Sequence, residues 1–353
     1  MSTKHEVVFA DSSNMKQISD KSVDLMITSP PYPMVSMWDD MFIGTNRKIN
    51  EHIESGNSNL AFEEMHKNLD AIWLETYRVL KEGGIACINI GDATRTIRDD
   101  FQLFNSHSRI INYCLSNGFP TLPSIIWRKQ TNSPNKFMGS GMLPVGAYVT
   151  LEHEHIIVLR KGKRRIFDNE DTKKRRRESA FFWEERNNWF SDLWFDVKGT
   201  KQALIDNETR SRSAAYPFEL AYRLINMFSI KGDKILDPFL GTGTTTLASL
   251  ASERNSVGFE IEEEFQKIIE KNIMESSNFF NSFVDYRVKN HSDFVKERIE
   301  SGKEVKYHIK YHDLPCITKQ ETEIKIRKVS KIENKSSDFL VTYNDNFQSK
   351  LET

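Results

Sequence analysis

The sequence predicts an α/β protein built on a parallel β-sheet. Short apolar runs of four to six residues alternate with longer amphipathic stretches, and this alternation occurs on both sides of a region rich in charged and aromatic residues. Short apolar runs are typical of strands covered on both faces, while amphipathic stretches are typical of the covering helices. Repeated βαβ units of this kind form parallel sheets.

The first group of elements ends near residue 160. We expect a short helix after the first strand, a long helix over 61–80 that ends at Gly83 and Gly84, and another helix near 107–117. The apolar runs that predict strands are EVVFA (6–10), VDLMIT (23–28), IACINI (85–90), PSIIW (123–127) and HIIVLR (155–160).

The second group of elements begins at Pro217. The runs KILD (234–237) and SVGFE (256–260) predict strands, and helices are expected over 217–228, after Gly243 and over 262–276. After residue 303 the sequence alternates as surface strands do, but it carries no recognisable motif.

Composition and charge limit the classes of function. The chain has 353 residues with 38% apolar content, which is enough for a sizeable core, and its net charge is -1. Ten Lys or Arg lie between Arg160 and Arg177 against three acidic residues, so this window carries +7. Such a stretch is typical of a face that meets phosphates, and the alternative is an ordinary solvated surface.

Cysteine usage and hydropathy exclude several other classes. The three cysteines are widely separated, with no CxxC motif or Cys/His cluster, which argues against a structural zinc site, a disulfide framework or any other metal site. No apolar run is long enough to cross a bilayer, and the first residues lack the layout of a signal peptide. We therefore expect a cytoplasmic protein without a membrane partner.

A glycine-rich turn in KILDPFLGTGTTTLA predicts a ligand site between a strand and a helix. Glycines let the backbone approach a ligand closely, and the amino terminus of the helix leaves N–H groups free. Glu260 ends the next strand, 23 residues after Asp237, where a carboxylate can accept both hydroxyls of a ribose. The pair predicts a nucleoside site, and the alternative is a glycine turn without a ligand.

The residues missing from this turn narrow the choice of cofactor. A phosphate-binding P-loop would end in GK[ST], but residues 241–246 read GTGTTT, which argues against ATP hydrolysis. A dinucleotide fingerprint would place its third glycine where Thr246 stands. Asp237 would repel a pyrophosphate but suits a cofactor that carries an ammonium and a sulfonium, as S-adenosylmethionine does.

Together, TSPPY (28–32) and DPFLGTGTT (237–245) resemble the motifs of the amino-group DNA methyltransferases, which methylate the exocyclic nitrogen of cytosine or adenine. The catalytic motif precedes the cofactor motif, as in the circularly permuted beta class. Four further stretches are similar to that class: IIWRKQTNSPNKFMGSG, LEHEHIIVLRKG, SDLWFDVKG and YPFELAYRLINMFS. The chain from about residue 280 is not similar to it.

The resemblance implies a Rossmann-like S-adenosylmethionine-dependent methyltransferase sheet, circularly permuted, with an inserted DNA target-recognition region. It implies that Asp11 reaches the cofactor adenine; an N-cap for a helix after Ser12 is the alternative for this residue, and Asp293 is a competing candidate. The implied cofactor residues are Asp11, Asp237, Pro238, Phe239, Gly241, Thr242, Gly243, Thr244 and Glu260.

The implied catalytic residues are Ser29, Pro30, Pro31 and Tyr32. A nucleobase amine is a poor nucleophile because its lone pair is delocalised into the ring. Two acceptors, the Ser29 hydroxyl and the Pro30 carbonyl, can draw that pair back onto nitrogen, and the prolines fix the backbone. Tyr32 offers a ring for an extruded base. A plain turn at the end of a strand is the alternative for this motif.

Several targets follow from the motif. In the family, SPPY goes more often with cytosine N4 and DPPY with adenine N6, so we expect cytosine in duplex DNA, with adenine as the alternative. A carbon-5 enzyme would need a nucleophilic cysteine, but the one Pro-Cys pair, at Cys316, lies far from any motif. An RNA or protein target and a catalytically inactive DNA-binding protein are the remaining alternatives.

Four segments are expected: a catalytic half (1–160), a target-recognition insertion (161–212), a cofactor-binding half (213–280) and a carboxy-terminal extension (281–353). A cognate restriction endonuclease is expected as a functional partner, and residues 33–59 are expected to form a mobile flap. In the insertion, three tryptophans, Trp183, Trp189 and Trp194, are interpreted as a local core rather than DNA wedges. The predicted DNA-binding residues are Arg164, Arg165, Arg175, Arg176 and Arg177.

Overall fold

The computed structural model describes residues 1–129, 138–139, 141–198, 216–336 and 338–344. Its strands are β1 (Ser2–Phe9), β2 (Val23–Thr28), β3 (Leu80–Ile90), β4 (Ala93–Ile97), β5 (Asp100–Phe104), β6 (Thr121–Arg128), β7 (Met138–Gly139), β8 (Ala147–Tyr148), β9 (His153–Arg160), β10 (Leu193–Trp194), β11 (Lys234–Asp237), β12 (Asn255–Glu260), β13 (Tyr307–Ile309), β14 (Leu314–Cys316), β15 (Lys328–Lys335) and β16 (Asp338–Asn344).

The described residues also form α-helices. They are α1 (Asp39–Thr45), α2 (Lys48–Ser55), α3 (Ser58–Val79), α4 (Ser106–Ser116), α5 (Glu170–Glu178), α6 (Trp183–Trp189), α7 (Phe218–Phe228), α8 (Thr244–Ala251), α9 (Gln266–Met274) and α10 (Ser277–Glu300). No helix in these described ranges is long and apolar enough to cross a membrane.

Ten described strands form one sheet in the order β10-β6-β9-β3-β2-β11-β12-β1-β16-β15. The five central strands, from β3 to β1, are mutually parallel. The predicted α/β sheet is therefore confirmed. The predicted parallel core is confirmed for these five strands, but the flanks of the sheet are not parallel: β9 runs antiparallel to both β3 and β6, and β16 runs antiparallel to β1.

Helices cover both faces of the sheet. Successive residues of each strand point to opposite sides, so a strand that is apolar throughout can pack against helices on both faces. On one face, Leu25 and Ile27 belong to a core cluster that includes Leu224 of α7 and Leu247 of α8. On the other face, Met26 packs in a second cluster with residues of α3 and α4. This two-sided cover explains why β2 is buried along its whole length.

Several predicted elements differ from the observed ones. Residues 11–22 form turns rather than a helix, and the expected flap over 33–59 contains α1 and α2. Both helices are anchored: Phe42 of α1 and Ile49 of α2 are buried, and Asp39 forms a bidentate ion pair with Arg95 of β4 at 2.7 and 2.8 Å. The hairpin of β4 and β5 was not predicted.

The carboxy-terminal extension is partly built into the sheet. Strands β15 and β16 continue the sheet beyond β1, which confirms the alternating pattern predicted after residue 303. Residues after 280 also contact the segment before α6, where Phe182 packs in a small core with Val284, Ile309 and Leu314. Trp189 and Trp194 are buried, which confirms a core role for both, but they belong to the large cluster around Leu25 rather than to a local core; Trp183 is 36% exposed.

Candidate active site

The structure brings the two predicted motifs together at one edge of the sheet. Strands β2 and β11 are parallel neighbours, with Leu25 opposite Ile235, so both motifs follow the carboxyl ends of adjacent strands. The Thr28 hydroxyl donates a hydrogen bond of 2.7 Å to Asp237. The segment that contains Ser29 therefore lies directly beside the glycine turn, as the sequence predicts.

Asp237 is engaged by the protein itself. Its side chain accepts hydrogen bonds from Thr28, from the backbone N–H of Phe239 at 3.0 Å, from Tyr216 at 3.3 Å and from Thr245. The residue is 2% exposed. Burial raises the pKa of Asp237, and the hydrogen bonds from the two threonines act in the opposite direction. The cofactor-binding role of Asp237 stays a prediction; in the structure its buried carboxylate links the β2 and β11 loops to each other.

The glycine turn has the backbone geometry of a ligand loop. Gly241 and Gly243 have φ angles of +54° and +93°, a region that favours glycine. A Cβ added at Gly241 would meet nothing within 4 Å, so space is open on that side of the turn. Thr242 and Thr244 are buried, and the described chain provides no side-chain cap for the amino terminus of α8.

Pro238 and Phe239 connect β11 to this turn. The Phe239 ring lies 6.4 Å from the Trp73 ring and packs against the α3 side of the sheet. On the α9 side, a cavity of about 320 Å³ is lined by Phe9, Ile269 and Phe339 among others, and Ile269 is the side chain nearest to an added Cβ on Gly243. The turn therefore packs against Trp73 and Ile269, while the space beside Gly241 is open.

Glu260 closes the turn from the neighbouring strand. Its carboxylate accepts hydrogen bonds from the backbone N–H groups of Gly241 at 2.8 Å, Ile261 at 2.9 Å and Glu262 at 3.0 Å. Burial raises the pKa of Glu260, and these three N–H groups act against the rise. Glu260, the residue predicted to bind the ribose, therefore contacts the glycine turn directly.

Asp11 lies beyond the carboxyl end of β1, and β1 pairs with β12 up to Glu260. Its carboxylate accepts from Ser13 N–H at 2.8 Å and Ser13 Oγ at 2.7 Å, so it caps a turn, and the alternative of a helix N-cap is wrong. Asp293 is on α10, where it pairs with Lys289 on the exposed side of the helix. Of the two candidates, only Asp11 is at the sheet edge that carries the motifs.

The SPPY segment presents a polar wall on a rigid backbone. Pro30 and Pro31 are buried, while Ser29 and Tyr32 are partly exposed. The hydroxyls of Ser29 and Tyr32 are 3.0 Å apart. Burial, followed by the charge of Glu154, raises the pKa of Tyr32 well above its ordinary value, so the phenol keeps its proton.

Sequence reasoning missed three residues that complete this wall. Glu154 of β9 accepts from Tyr32 OH at 2.9 Å and from Lys129 Nζ at 2.7 Å, and Asn89 of β3 donates to Tyr32 OH at 2.9 Å and to Glu154 at 2.7 Å. Lys129 and Glu154, together with Tyr32, line a cavity of about 150 Å³. Lys129 and Glu154 stand in two stretches that resemble the family, IIWRKQTNSPNKFMGSG and LEHEHIIVLRKG, but the resemblance did not mark them as site residues. Antiparallel pairing of β9 with β3 brings them beside the motif.

Comparison with known proteins now decides the family. A family model of N6/N4 DNA methylases matches residues 23–271. The chain is a DNA methylase of this family. It is 47% identical over 343 residues to the type II methyltransferase M.MthZI of Methanothermobacter thermautotrophicus, covering 96% of this chain and 95% of that protein. It is 48% identical over 284 residues to the type II methyltransferase M.MjaI of Methanocaldococcus jannaschii, covering 77% and 92%.

Solved structures agree with this family. The DNA methylase resembles the Thermus thermophilus protein TTHA0409 in complex with S-adenosyl-L-methionine, with a TM-score of 0.59 and 28% identity over 76% of this chain and 94% of that chain. PvuII DNA methyltransferase, described as cytosine-N4-specific, has a TM-score of 0.52 at 15% identity, covering 82% and 94%, which shows the fold alone. S-adenosylmethionine is the cofactor of the family.

The residues of this DNA methylase fit that cofactor. Gly241 leaves open space above the turn, Glu260 offers a carboxylate beside it, and Asp11 lies at the end of the adjacent strand. The cofactor supplies a methyl group on a positively charged sulfur. These three residues would hold its nucleoside end. Ser29 directly follows Thr28, whose hydrogen bond to Asp237 joins the SPPY segment to the cofactor turn.

One histidine cluster lies close to the site. Asp92 accepts from the backbone N–H of His107 at 3.0 Å and pairs with its Nδ1 at 2.7 Å, and the rings of His107 and His155 stack at 3.9 Å. These three residues could ligate a metal ion, and so could Glu184, His291 and Glu321 elsewhere in the described chain. The absence of a metal stays a sequence prediction. In the protein, Asp92 caps the first turn of α4, and this hydrogen bonding with His107 opposes the effect of burial and holds the pKa of Asp92 below its usual range.

The predicted DNA-binding arginines lie away from this edge. Arg165 pairs with Asp233 at 2.5 Å and with Asp24 at 3.5 Å, at the amino-terminal ends of β11 and β2, whereas Ser29 follows the carboxyl end of β2. Arg175 pairs with Asp171, and Arg177 with Glu323. Arg164 and Arg176 are exposed. The structure therefore does not bring these five arginines to the catalytic motif.

Proposed function

We propose that this DNA methylase transfers a methyl group from S-adenosylmethionine to N4 of cytosine in duplex DNA. The observation that carries the proposal is the position of Ser29, a neutral hydroxyl at the head of the SPPY segment, next to the cofactor turn through the Thr28–Asp237 hydrogen bond. Adenine N6 is the alternative target within the same family.

The proposed chemistry uses two acceptors for the target amine. Ser29 Oγ and the Pro30 carbonyl each accept one N–H, which moves the nitrogen lone pair out of conjugation with the ring and toward the methyl carbon. Because Pro30 and Pro31 are buried with fixed φ angles, the carbonyl needs little reorganisation. No covalent nucleophile is needed, since the methylated nitrogen loses a proton after transfer.

The target base must leave the duplex to reach this wall. A base within the stack cannot approach a methyl donor, so we propose extrusion of the cytosine and stacking against the partly exposed Tyr32 ring. Transfer then proceeds directly and in line, with the enzyme acting mainly through positioning.

We further propose that Asp11 binds the adenine and Glu260 the ribose of the cofactor. This arrangement makes the chain a circularly permuted enzyme of the beta class, in which β1 follows β12 in the sheet although it begins the chain. The segment division at residues 160, 212 and 280 is part of this proposal. Residues 199–212, within the proposed target-recognition insertion, lie outside the described residues.

The proposed biological setting is a type II restriction-modification system with a cognate endonuclease, since M.MthZI and M.MjaI are named type II methyltransferases. In that setting duplex DNA is the partner. We propose that exposed Arg164, Arg176 and Arg177 contact phosphates remote from the extruded base. Arg165, Arg175 and Arg177 each pair with a carboxylate, and of these three only Arg177 is exposed.

Methylation of duplex DNA with a labelled methyl donor tests the function. After digestion to nucleosides, mass spectrometry should find N4-methylcytosine in the wild-type reaction and none with Ser29→Ala. N6-methyladenine instead would move the target to adenine. Label in RNA but not in duplex DNA, at matched salt, would contradict the DNA assignment.

If the wild-type protein methylates no DNA, the second class of function, a catalytically inactive DNA-binding protein, has to be tested. Calorimetry with S-adenosylmethionine separates the two classes, because the enzyme must bind the cofactor and a retired fold need not. DNA retention without cofactor binding would support the second class and overturn the first.

A further inference from the structure

The direction in which the Ser29 hydroxyl points decides whether it can assist the target amine. A hydroxyl can donate or accept, and only an accepting oxygen draws electron density onto an amine. This inference rests on the proposed function. It concerns which part of the chain fixes that direction.

The hydrogen bonds behind Ser29 have one consistent direction. The Glu154 carboxylate has no proton to give, so Tyr32 donates to it across 2.9 Å. With its one proton committed, the Tyr32 oxygen can only accept from Ser29 at 3.0 Å. The Ser29 proton therefore points toward Tyr32, and its oxygen can only accept from other groups, among them Asn89 Nδ2 at 3.5 Å.

Asn89 supports the same direction. Its Nδ2 lies 2.7 Å from Glu154 and 2.9 Å from Tyr32 OH, and the amide must present its donors to a carboxylate. A second donor on the phenol oxygen reinforces the commitment of the Tyr32 proton to Glu154. Asn89 is 2% exposed, and its Oδ1 has no hydrogen-bond partner within the described chain, so the amide is held by these donor contacts.

The side chain of Glu154 is buried in the fold, where it can fix the direction of these hydrogen bonds. It is 6% exposed, and Lys129 holds its other oxygen at 2.7 Å, which offsets the cost of burying the charge. Tyr32 and Glu154 are 122 residues apart in sequence, and antiparallel pairing of β9 with β3 puts Glu154 behind the motif.

We propose that Glu154 is a positioning residue that sets the hydrogen-bond direction Ser29 to Tyr32 to Glu154 and thereby makes Ser29 an acceptor for the target amine. An amide at this position would no longer impose the direction. With its oxygen kept on Lys129 Nζ, its NH₂ would donate to Tyr32, the phenol proton would turn to Ser29, and the serine proton would then point at the amine.

The test is Glu154→Gln in the full-length enzyme, assayed on DNA that the wild type methylates. We expect kcat to fall at least tenfold, about 1.4 kcal/mol in the barrier, while KM for DNA and Kd for S-adenosylmethionine stay within twofold. Equal falls in cofactor affinity and kcat would show a structural collapse of the site and overturn the proposal. An unchanged kcat would do the same.

A double-mutant cycle with Tyr32→Phe tests whether Glu154 acts through the phenol. Because Y32F removes the link, adding E154Q to it should cost no further activity. The same fold-loss in both backgrounds would contradict the proposal. A matched control is Asp24→Asn, another buried carboxylate held by a lysine, Lys81 at 2.7 Å, but at the other end of β2. It should lower stability and leave kcat unchanged.

The outcome is separable from that of the proposed function. If the wild type methylates no DNA, the proposed function fails before any variant is compared. If the wild type is active and E154Q is equally active, only the role of Glu154 fails. Thermal melting of both variants verifies that each is folded at the assay temperature.

Discussion

Thr28 donates a hydrogen bond of 2.7 Å to Asp237, a residue 209 positions away in the sequence. Thr28 is the residue before the SPPY segment, and Asp237 is the residue before the glycine-turn segment. Both are buried. This bond makes the distance between the catalytic wall and the cofactor turn a property of the sheet rather than of two independent loops.

Replacing Thr28 with valine removes this hydroxyl at almost constant shape. Since Asp237 Oδ1 would keep only the Phe239 N–H, we expect the free energy of unfolding to fall by about 1–3 kcal/mol. Urea denaturation measures the change. Thr96→Val is the control, because Thr96 is exposed on β4, and it should change stability by less than about 0.5 kcal/mol. Equal effects of both substitutions would contradict a special role for Thr28.

Local sequence predicted that the two motifs share one site, although not the Thr28–Asp237 hydrogen bond, because each motif is marked by its own signal. The apolar runs of β2 and β11 end in unusual tails, two prolines in one case and two glycines in the other, and the carboxyl ends of parallel strands meet at one edge. The direction of β9 had no such signal. A run such as HIIVLR is equally apolar in either direction, so only the sheet order reveals the antiparallel pairing.

Glu154 illustrates why part of the site could not be predicted. In the sequence it stands between two histidines in EHEHI, where a charged residue reads as an exposed position at the start of a strand. Its burial arises from contacts with Tyr32, Asn89 and Lys129, which come from three other segments. The helices α1 and α2 were missed for a local reason, because Gly44 and Asn46 interrupt the helical periodicity.

Gly241→Ala should weaken cofactor binding at least tenfold. An alanine there is strained by the left-handed φ of +54°, and its methyl group enters the open space above the turn. Gly302→Ala is matched, since Gly302 has a φ of +76° and nothing within 4 Å of an added Cβ, but it lies in the turn after α10. Each should cost about 1–2 kcal/mol of stability, and only G241A should raise the Kd for S-adenosylmethionine in calorimetry. Equal Kd values for the two variants would contradict a cofactor approach at Gly241.

Acid should destabilise the protein through His66. Burial first, and the charge of Arg109 second, lower the pKa of His66 to about 3, against an ordinary value of 6.5. Both ring nitrogens are without a hydrogen-bond partner in the described chain. The unfolded chain therefore binds the proton first, so stability is complete above about pH 6.5 and falls by about 1.4 kcal/mol per unit as the pH drops below it.

The substitution His66→Leu isolates this contribution. Between pH 8 and pH 5 the wild type should lose about 2 kcal/mol more than the variant, as measured by urea denaturation at each pH. His308→Leu, at an exposed position of β13, should leave the slope of the wild type unchanged. Parallel stability curves for the wild type and H66L would show that another group carries the acid sensitivity.

Arg165 and Arg176 should separate the structural from the DNA-binding role of the basic stretch. Arg165 lies between Asp233 and Asp24, whose side chains are 3% and 4% exposed, so Arg165→Met leaves two buried carboxylates without their guanidinium. The arginine itself is 27% exposed, and we therefore expect a loss of about 2 kcal/mol, below that for a fully buried pair. The DNA affinity of the Arg165→Met variant should stay within twofold of that of the wild type.

Arg176 is exposed beside Phe167, and Arg176→Ala should leave stability unchanged but reduce the slope of log Kd against log salt by about 1 if it meets a phosphate. A reduced salt slope for Arg165→Met, with unchanged stability, would reverse the two roles.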